Sequence, residues 1–260
     1  MRDPSASMPS VEVRVARMLH ATEESFTQEQ LDEMHDTDNV MEEEGELWEF
    51  DAKVSSWKRT DCVLRVATRA LFNGGSVAVL RARDATNQRD VVLKLPHRPD
   101  AEGKMAYDAV RVQSVGQISA DMFYERAPEQ CQPRFLPSWV FVLASRPGKP
   151  AVRSELWLDD YGEKVPLRLR ISQISQVSST VEDEHVFAAF QHFAHHRSRQ
   201  GMVFVQVSKV GDFWTEAHIA SMDMSVGGVH DGGPDHVREW ELLFCAKYGE
   251  YLGLLRDVLL

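Results

Sequence analysis

The stretch AAFQHFAHHRSRQGMVFVQVSKVGDFWTEAHIAS, residues 188 to 221, decides how this chain folds. It continues a helix read over Val181 to His196. A buried-looking strand follows over Met202 to Val207, ended by the Gly211-Asp212 turn. Four histidines lie in it: His192, His195, His196 and His218. His192 and His196 stand four apart, with His185 about two turns earlier on the same helical face, a spacing that can chelate zinc. No carboxylate completes an HExxH pattern, and solvated histidines on a helix are the commoner source of such spacing. The polar residue inside the strand is Gln206, a poor acid, base or metal ligand. The segment has the layout of an active site without its reactive group.

The rest of the composition bounds the alternatives. A chain of 260 residues with 43% hydrophobic and 27% charged residues can bury a substantial core. The formal net charge of -11 argues against non-specific nucleic-acid or anionic-membrane binding, since both need a cationic surface. No apolar run approaches the roughly 20 residues of a membrane helix, and the N-terminus lacks the hydrophobic core of a secretory signal. Cys62, Cys131 and Cys245 are few, odd in number and without a CxxC, so a reducing, cytoplasmic setting is expected. There is no GxSxG elbow and no Walker loop, so hydrolase and P-loop readings have no support.

Working outward, residues 1–52 are strongly acidic and read as a partly extended arm, with one short helix over Thr27 to Met34 capped by Thr27. Residues 53–260 read as an α+β domain. Its first lobe, about 57–150, comprises a strand over Asp61 to Ala70, the turn Phe72-Asn73-Gly74-Gly75, a second hairpin strand over Ser76 to Ala82, and a short strand Val91 to Leu95 containing Lys94. A helix over Lys104 to Phe123 and a strand over Trp139 to Ala144 complete that lobe. A Pro/Gly-rich connection leads to a strand over Val152 to Trp157 and the second lobe, about 151–260, with a polar linker at Ser172 to Ser179 and a last helix over Asp235 to Leu252. By spacing alone Lys94 is a strand-end lysine, and a contact with nucleotide phosphate is one reading of it.

Together these pieces resemble the alpha-kinases, the atypical protein kinases typified by myosin heavy chain kinase and elongation-factor-two kinase. Residues 188 to 221 follow that family's pattern without a gap, and the likeness extends over about residues 57 to 255. The resemblance implies a two-lobed kinase-like fold with a nucleotide cleft between the lobes. By motif, Lys94 would meet the phosphates, Gly74 and Gly75 would form the glycine-rich hairpin, Glu155 would sit at the adenine-side hinge, Lys164 would line the cleft, and His192 would be one zinc ligand.

The departures carry as much weight. The family's catalytic aspartate falls on Gln206, its metal-binding glutamine on Ser208, the following glycine on Lys209, and its second metal-binding aspartate on Glu216. The arginine after the hairpin becomes Val77. Three zinc ligands fall on Phe244, Ala246 and Glu250, leaving His192 alone. These losses imply a pseudokinase: no catalytic residue, no required cofactor, no zinc, and ATP with Mg²⁺ only if Lys94, Glu155 and Lys164 still bind it. Its expected role is a scaffold or assembly subunit in a multi-protein, cytoskeletal-type complex, contacting protein partners through the acidic arm and the domain surface. The competing expectation is an active serine/threonine kinase using Asp212, Glu216 or Asp231 as a displaced carboxylate.

Overall fold

The computed structural model describes residues 40–73, 77–97, 103–125, 133–158, 165–168, 181–228 and 231–248. Strands β1 (Val40–Asp51), β2 (Ser56–Ala67), β3 (Phe72–Asn73), β4 (Val77–Asp84), β5 (Arg89–Pro96), β7 (Ser138–Leu143) and β8 (Ala151–Leu156) form one antiparallel sheet in the order β2-β1-β7-β8-β5-β4-β3. A further pairing of Leu64–Val66 on β2 with Ala82–Asp84 on β4 curls that sheet back on itself. Strands β6 (Arg134–Phe135), β9 (Val165–Arg168), β10 (Met202–Val210) and β11 (Phe213–Ser221) make a second sheet, ordered β6-β11-β10-β9. Helix α1 (Lys104–Tyr124) packs against both sheets. Helices α2 (Val181–Arg197) and α3 (Gly233–Tyr248) pack on the second. No helix among the described residues is long and apolar enough to cross a membrane.

Alternation explains the first sheet. Leu47, Leu64, Leu93, Phe141 and Val152 turn inward into one buried cluster. Their neighbours Trp48, Phe50 and Val140 turn outward and pack against Ala106 and Val110 of α1. On β5, Leu93 thus faces the sheet's interior while Val92 and Lys94 face the second lobe.

Two boundaries differ from the sequence reading. The acidic arm does not run to residue 52, because Val40–Asp51 is a central strand paired with both β2 and β7. Two of its glutamates find partners far along the chain. Glu43, buried, accepts from both Nε and Nη2 of Arg146, and Glu49 accepts from the Trp139 indole. Gly45 lets the strands approach, since a Cβ there would lie 2.4 Å from the Val142 carbonyl oxygen. The lobe boundary near 150 also moves, because β8 lies between β7 and β5 in the first sheet, and the Pro/Gly-rich connection before it is a hairpin turn. The strand read over Asp61 to Ala70 pairs mainly with β1 and only briefly with β4. The readings at Thr27–Met34 and Ser172–Ser179 lie outside the described residues.

Candidate functional site

The inter-lobe face of β5 and β8 carries three charged side chains in register. Lys94 is opposite Arg153, and Glu155 is opposite Val92, one diagonal step away. The Lys94 ammonium sits 3.0 Å from Glu155 Oε2 and 2.9 Å from Glu216 Oε1. Lys94 is 8% exposed and Glu155 wholly buried. The other Glu155 oxygen accepts hydrogen bonds from Arg153 Nη2 and the Thr215 hydroxyl. Glu216 in turn accepts from the Ser208 hydroxyl at 3.0 Å. Six side chains from four strands form one network that joins the lobes.

Glu216 reaches this network by an irregularity. The pairing of β10 with β11 shifts register between Gln206↔His218 and Ser208↔Thr215, so Glu216 and Ala217 fall in the irregularity, and Glu216 takes a φ of 52°. That left-handed conformation is uncommon for a non-glycine residue and is held where surrounding structure over-determines it. Here the surrounding contacts are Lys94 and Ser208.

Beside the charges lies an apolar wall. Val79, Val92 and Leu136 form its buried part, with Val77, Leu156 and Phe213 packed on them. Val77, where the resemblance expects an arginine, thus contributes a hydrocarbon surface. Such a wall suits a flat base. Lys94 suits a phosphate only if it gives up a carboxylate, and of the two carboxylate–hydroxyl pairs there among the described residues, Glu216 with Ser208 is the one solvent reaches and so the one that could hold Mg²⁺.

The sequence candidates fall unevenly. Lys94, Glu155, Ser208 and Glu216 are brought together, and Gln206 lies on the same strand as Ser208, two residues away. Gly74, Gly75 and Lys164 lie outside the described residues. Of the replacement carboxylates, Asp212 is at the exposed tip of the β10–β11 hairpin. Asp231 is occupied by structure: it accepts from the backbone N–H of Ser221, Gly227 and Gly233 and from the Ser221 hydroxyl. Burial works to raise its pKa, but those bonds outweigh it and hold the carboxyl below its ordinary value. The loop that Asp231 gathers brings Gly228, at φ of 59°, against Asp108, where a Cβ would come within 2.0 Å of a carboxylate oxygen. Sequence reasoning missed Arg153 and Thr215. The i, i+2 spacing of Arg153 and Glu155 on a strand was the available signal.

His192 does not sit among metal ligands. Its ring stacks on Phe244 with centroids 5.3 Å apart, and its Nδ1 is buried with no hydrogen-bond partner among the described residues. His185 is exposed, and no group of three His, Cys, Asp or Glu side chains able to hold a metal occurs among the described residues. The residues around His192 therefore do not fit a tetrahedral zinc. Glu250 lies outside the described residues.

Burial, followed by the neighbouring His196 and His195, lowers the His192 pKa below its usual 6.5. The unfolded chain takes up that proton more readily than the folded one, so acidification below about pH 6.5 costs stability. His192→Phe keeps the stack and removes the proton site. Its stability should fall less than the parent's between pH 7 and pH 5.5 in urea titrations. An unchanged fall would assign the acid sensitivity to other groups.

Comparison with known proteins bears on the whole arrangement. The model of the alpha-kinase family matches residues 65–247. The chain belongs to the alpha-kinase family. Alpha-protein kinase 1 of Dictyostelium discoideum is 23% identical over 209 residues, which is 79% of this chain and 15% of that protein. The chain thus spans a small part of that relative's length. The apoenzyme alpha-kinase domain of myosin-II heavy chain kinase A superimposes with a TM-score of 0.65 at 21% identity, covering 78% of this chain and 92% of that domain. The same domain in complex with ADP gives 0.63 at 21% identity, with the same coverage. These likenesses show the two-lobed alpha-kinase α+β fold, in a domain whose relative holds ADP.

Proposed function

We propose that this alpha-kinase domain is a pseudokinase that serves as a cytoplasmic scaffold or assembly subunit, joining protein partners in a multi-protein complex of cytoskeletal type. The observation that carries this is the Lys94 ammonium held between Glu155 and Glu216, in a cleft whose catalytic carboxylate position is Gln206. Glutamine is not a proton acceptor at any useful pH, and phosphoryl transfer depends on metal, positioning and a group that orients the nucleophile. The ion-pair network also competes with nucleotide phosphate for Lys94. The acidic segment preceding Val40 and the domain surface are the contact regions for partners.

A second reading, an active kinase using a displaced carboxylate, rests on Glu216 alone, because Asp231 is committed to its loop and Asp212 is at the hairpin tip. Radiolabelled phosphate transfer with Mg²⁺ or Mn²⁺ separates the two. The scaffold reading expects no transfer above background. Transfer abolished by Lys94→Ala would overturn it. Thermal unfolding with ATP adds the binding side. A ligand at about 100 times its Kd stabilises by roughly 2.7 kcal/mol. Millimolar ATP should leave the parent's Tm nearly unchanged and raise that of Glu216→Gln, which frees Lys94 from one competing charge.

A further inference from the structure

A cavity lies against α1, and Lys94 does not line it. A space of about 610 Å³ is bounded by the β1–β2 turn, the middle of α1 from Gln113 to Ile118, and the segment from Phe135 to Trp139. A second, about 220 Å³, continues from it toward α2. Ala52 and Ile118 line both, so the two form one groove along α1. Its continuation has an apolar floor, including Met122, Phe193 and Met202.

Polar groups mark the groove. Gln113 is 2% exposed and donates through Nε2 to the carbonyls of Leu136 and Trp214. Reversing the amide would set its oxygen against two carbonyls, so Oε1 is fixed as an acceptor, and it has no partner among the described residues. The Ser138 hydroxyl, also in the wall, is buried without one. Lys53 and Lys58 stand at one end and Arg197 at the other, all exposed and none in a salt bridge among the described residues. Glu49 and Asp51 also line the first cavity. Glu49 takes the Trp139 indole N–H and Asp51 the Lys53 backbone N–H.

We infer that this groove is the docking site of the chain's own acidic segment, residues 23–38. That segment carries seven carboxylates and no lysine or arginine. Phe26, Leu31 and Met34 supply apolar anchors for the groove floor. Thr27 and Gln30 have the spacing of a capping box, and Phe26 and Leu31 that of a hydrophobic staple. A short amphipathic helix laid in an apolar groove is a common recognition mode. The tether permits it: β1 runs from Val40 to Asp51, about 36 Å at 3.3 Å per residue. With Thr27 to Met34 helical at 1.5 Å per residue and the other nine residues from Glu23 to Asn39 extended, the segment reaches about 40 Å, enough to bring Glu23 and Glu24 back along β1 to its far end. Joined in one chain, the two meet at an effective concentration on the order of millimolar. A docked segment would be withheld from other partners.

Zero-length carbodiimide coupling of the full chain, followed by peptide mass spectrometry, tests this directly. Lys53 or Lys58 should couple to carboxylates within residues 23–38, and in an equal mixture of ¹⁴N and ¹⁵N protein the coupled pairs should be isotopically pure. Absence of such pairs, or pairs of mixed isotope that place the segment on a second copy, overturns the inference. Proteolysis after the glutamates of the segment gives an independent reading. The exposed charge reversals Lys53→Glu and Lys58→Glu together should speed cleavage severalfold, because docking protects by the ratio of effective concentration to Kd. Adding Glu29→Lys and Glu33→Lys should restore protection. Unchanged cleavage in the first variant would also overturn it.

Discussion

Glu155→Ala should be among the most destabilising single substitutions in this protein, costing about 3–5 kcal/mol, the usual consequence of removing one partner from a buried ion pair. The side chain is wholly buried and neutralises two cations from opposite sides, Lys94 through one oxygen and Arg153 through the other. Lys94 would keep Glu216, which is itself 33% exposed. Among the described residues Arg153 would keep only a long contact of 3.5 Å to the Thr215 hydroxyl, with its Nε already unpartnered there. The orphaned guanidinium is therefore the larger part of the cost. Urea unfolding should move its midpoint down by on the order of 2 M, taking a slope of about 2 kcal/mol/M. Glu216→Ala serves as the contrast, because its solvent-accessible carboxylate should cost clearly less. Equal losses from the two would show that the network is not centred on Glu155. Replacing Lys94, Arg153 and Glu155 together by Met, Leu and Leu should recover much of the stability, since the charges are then removed with their desolvation cost.

That network was only partly legible in the sequence. Lys94 and Glu155 were found by motif, and the sheet brings them to adjacent strands. Arg153 belonged to the same pattern by its i, i+2 spacing, but a strand's pairing partner cannot be read from its own residues. Glu216 was named as a weakened metal ligand. Its actual position depends on a register shift and a positive φ, which no residue type at 213–221 announces. β1 was hidden for a different reason. Its glutamates have the composition of a solvated arm, while the fold places Glu43 beside Arg146, 103 residues away. Long-range charge compensation of this kind overrides local composition. Helix α1, α2 and the strand at Met202 were legible because each buries a periodic apolar face against a continuous core. Phe244 was read as apolar packing at a position where the family pattern has a ligand, and it does stack on His192.

The second large effect belongs to that apolar core. Phe190→Ala should cost about 3–5 kcal/mol, the range for emptying a fully buried aromatic site. Phe190 has no exposed surface, and its ring meets Phe123 of α1, Phe135 of β6, Phe204 of β10 and Trp214 of β11 at centroid distances of 5.1 to 5.9 Å. Four elements therefore lose a shared contact at once, and the cavity cannot close without moving the sheet. Phe190→Leu, which keeps most of the volume, should cost distinctly less. The loss should reach the cleft as well. Trp214 precedes Thr215, whose hydroxyl donates to Glu155, so slack around the indole loosens one support of the ion-pair network. Near-ultraviolet circular dichroism should therefore weaken in Phe190→Ala under conditions where far-ultraviolet signal persists. A loss below about 1 kcal/mol would mean that the second lobe repacks freely around position 190, against what close-packed interiors allow. Combining Phe190→Ala with Glu155→Ala should give less than the sum of the two single losses, because both act through the Trp214–Thr215 segment of β11, and coupled sites depart from additivity by about 0.5 kcal/mol or more.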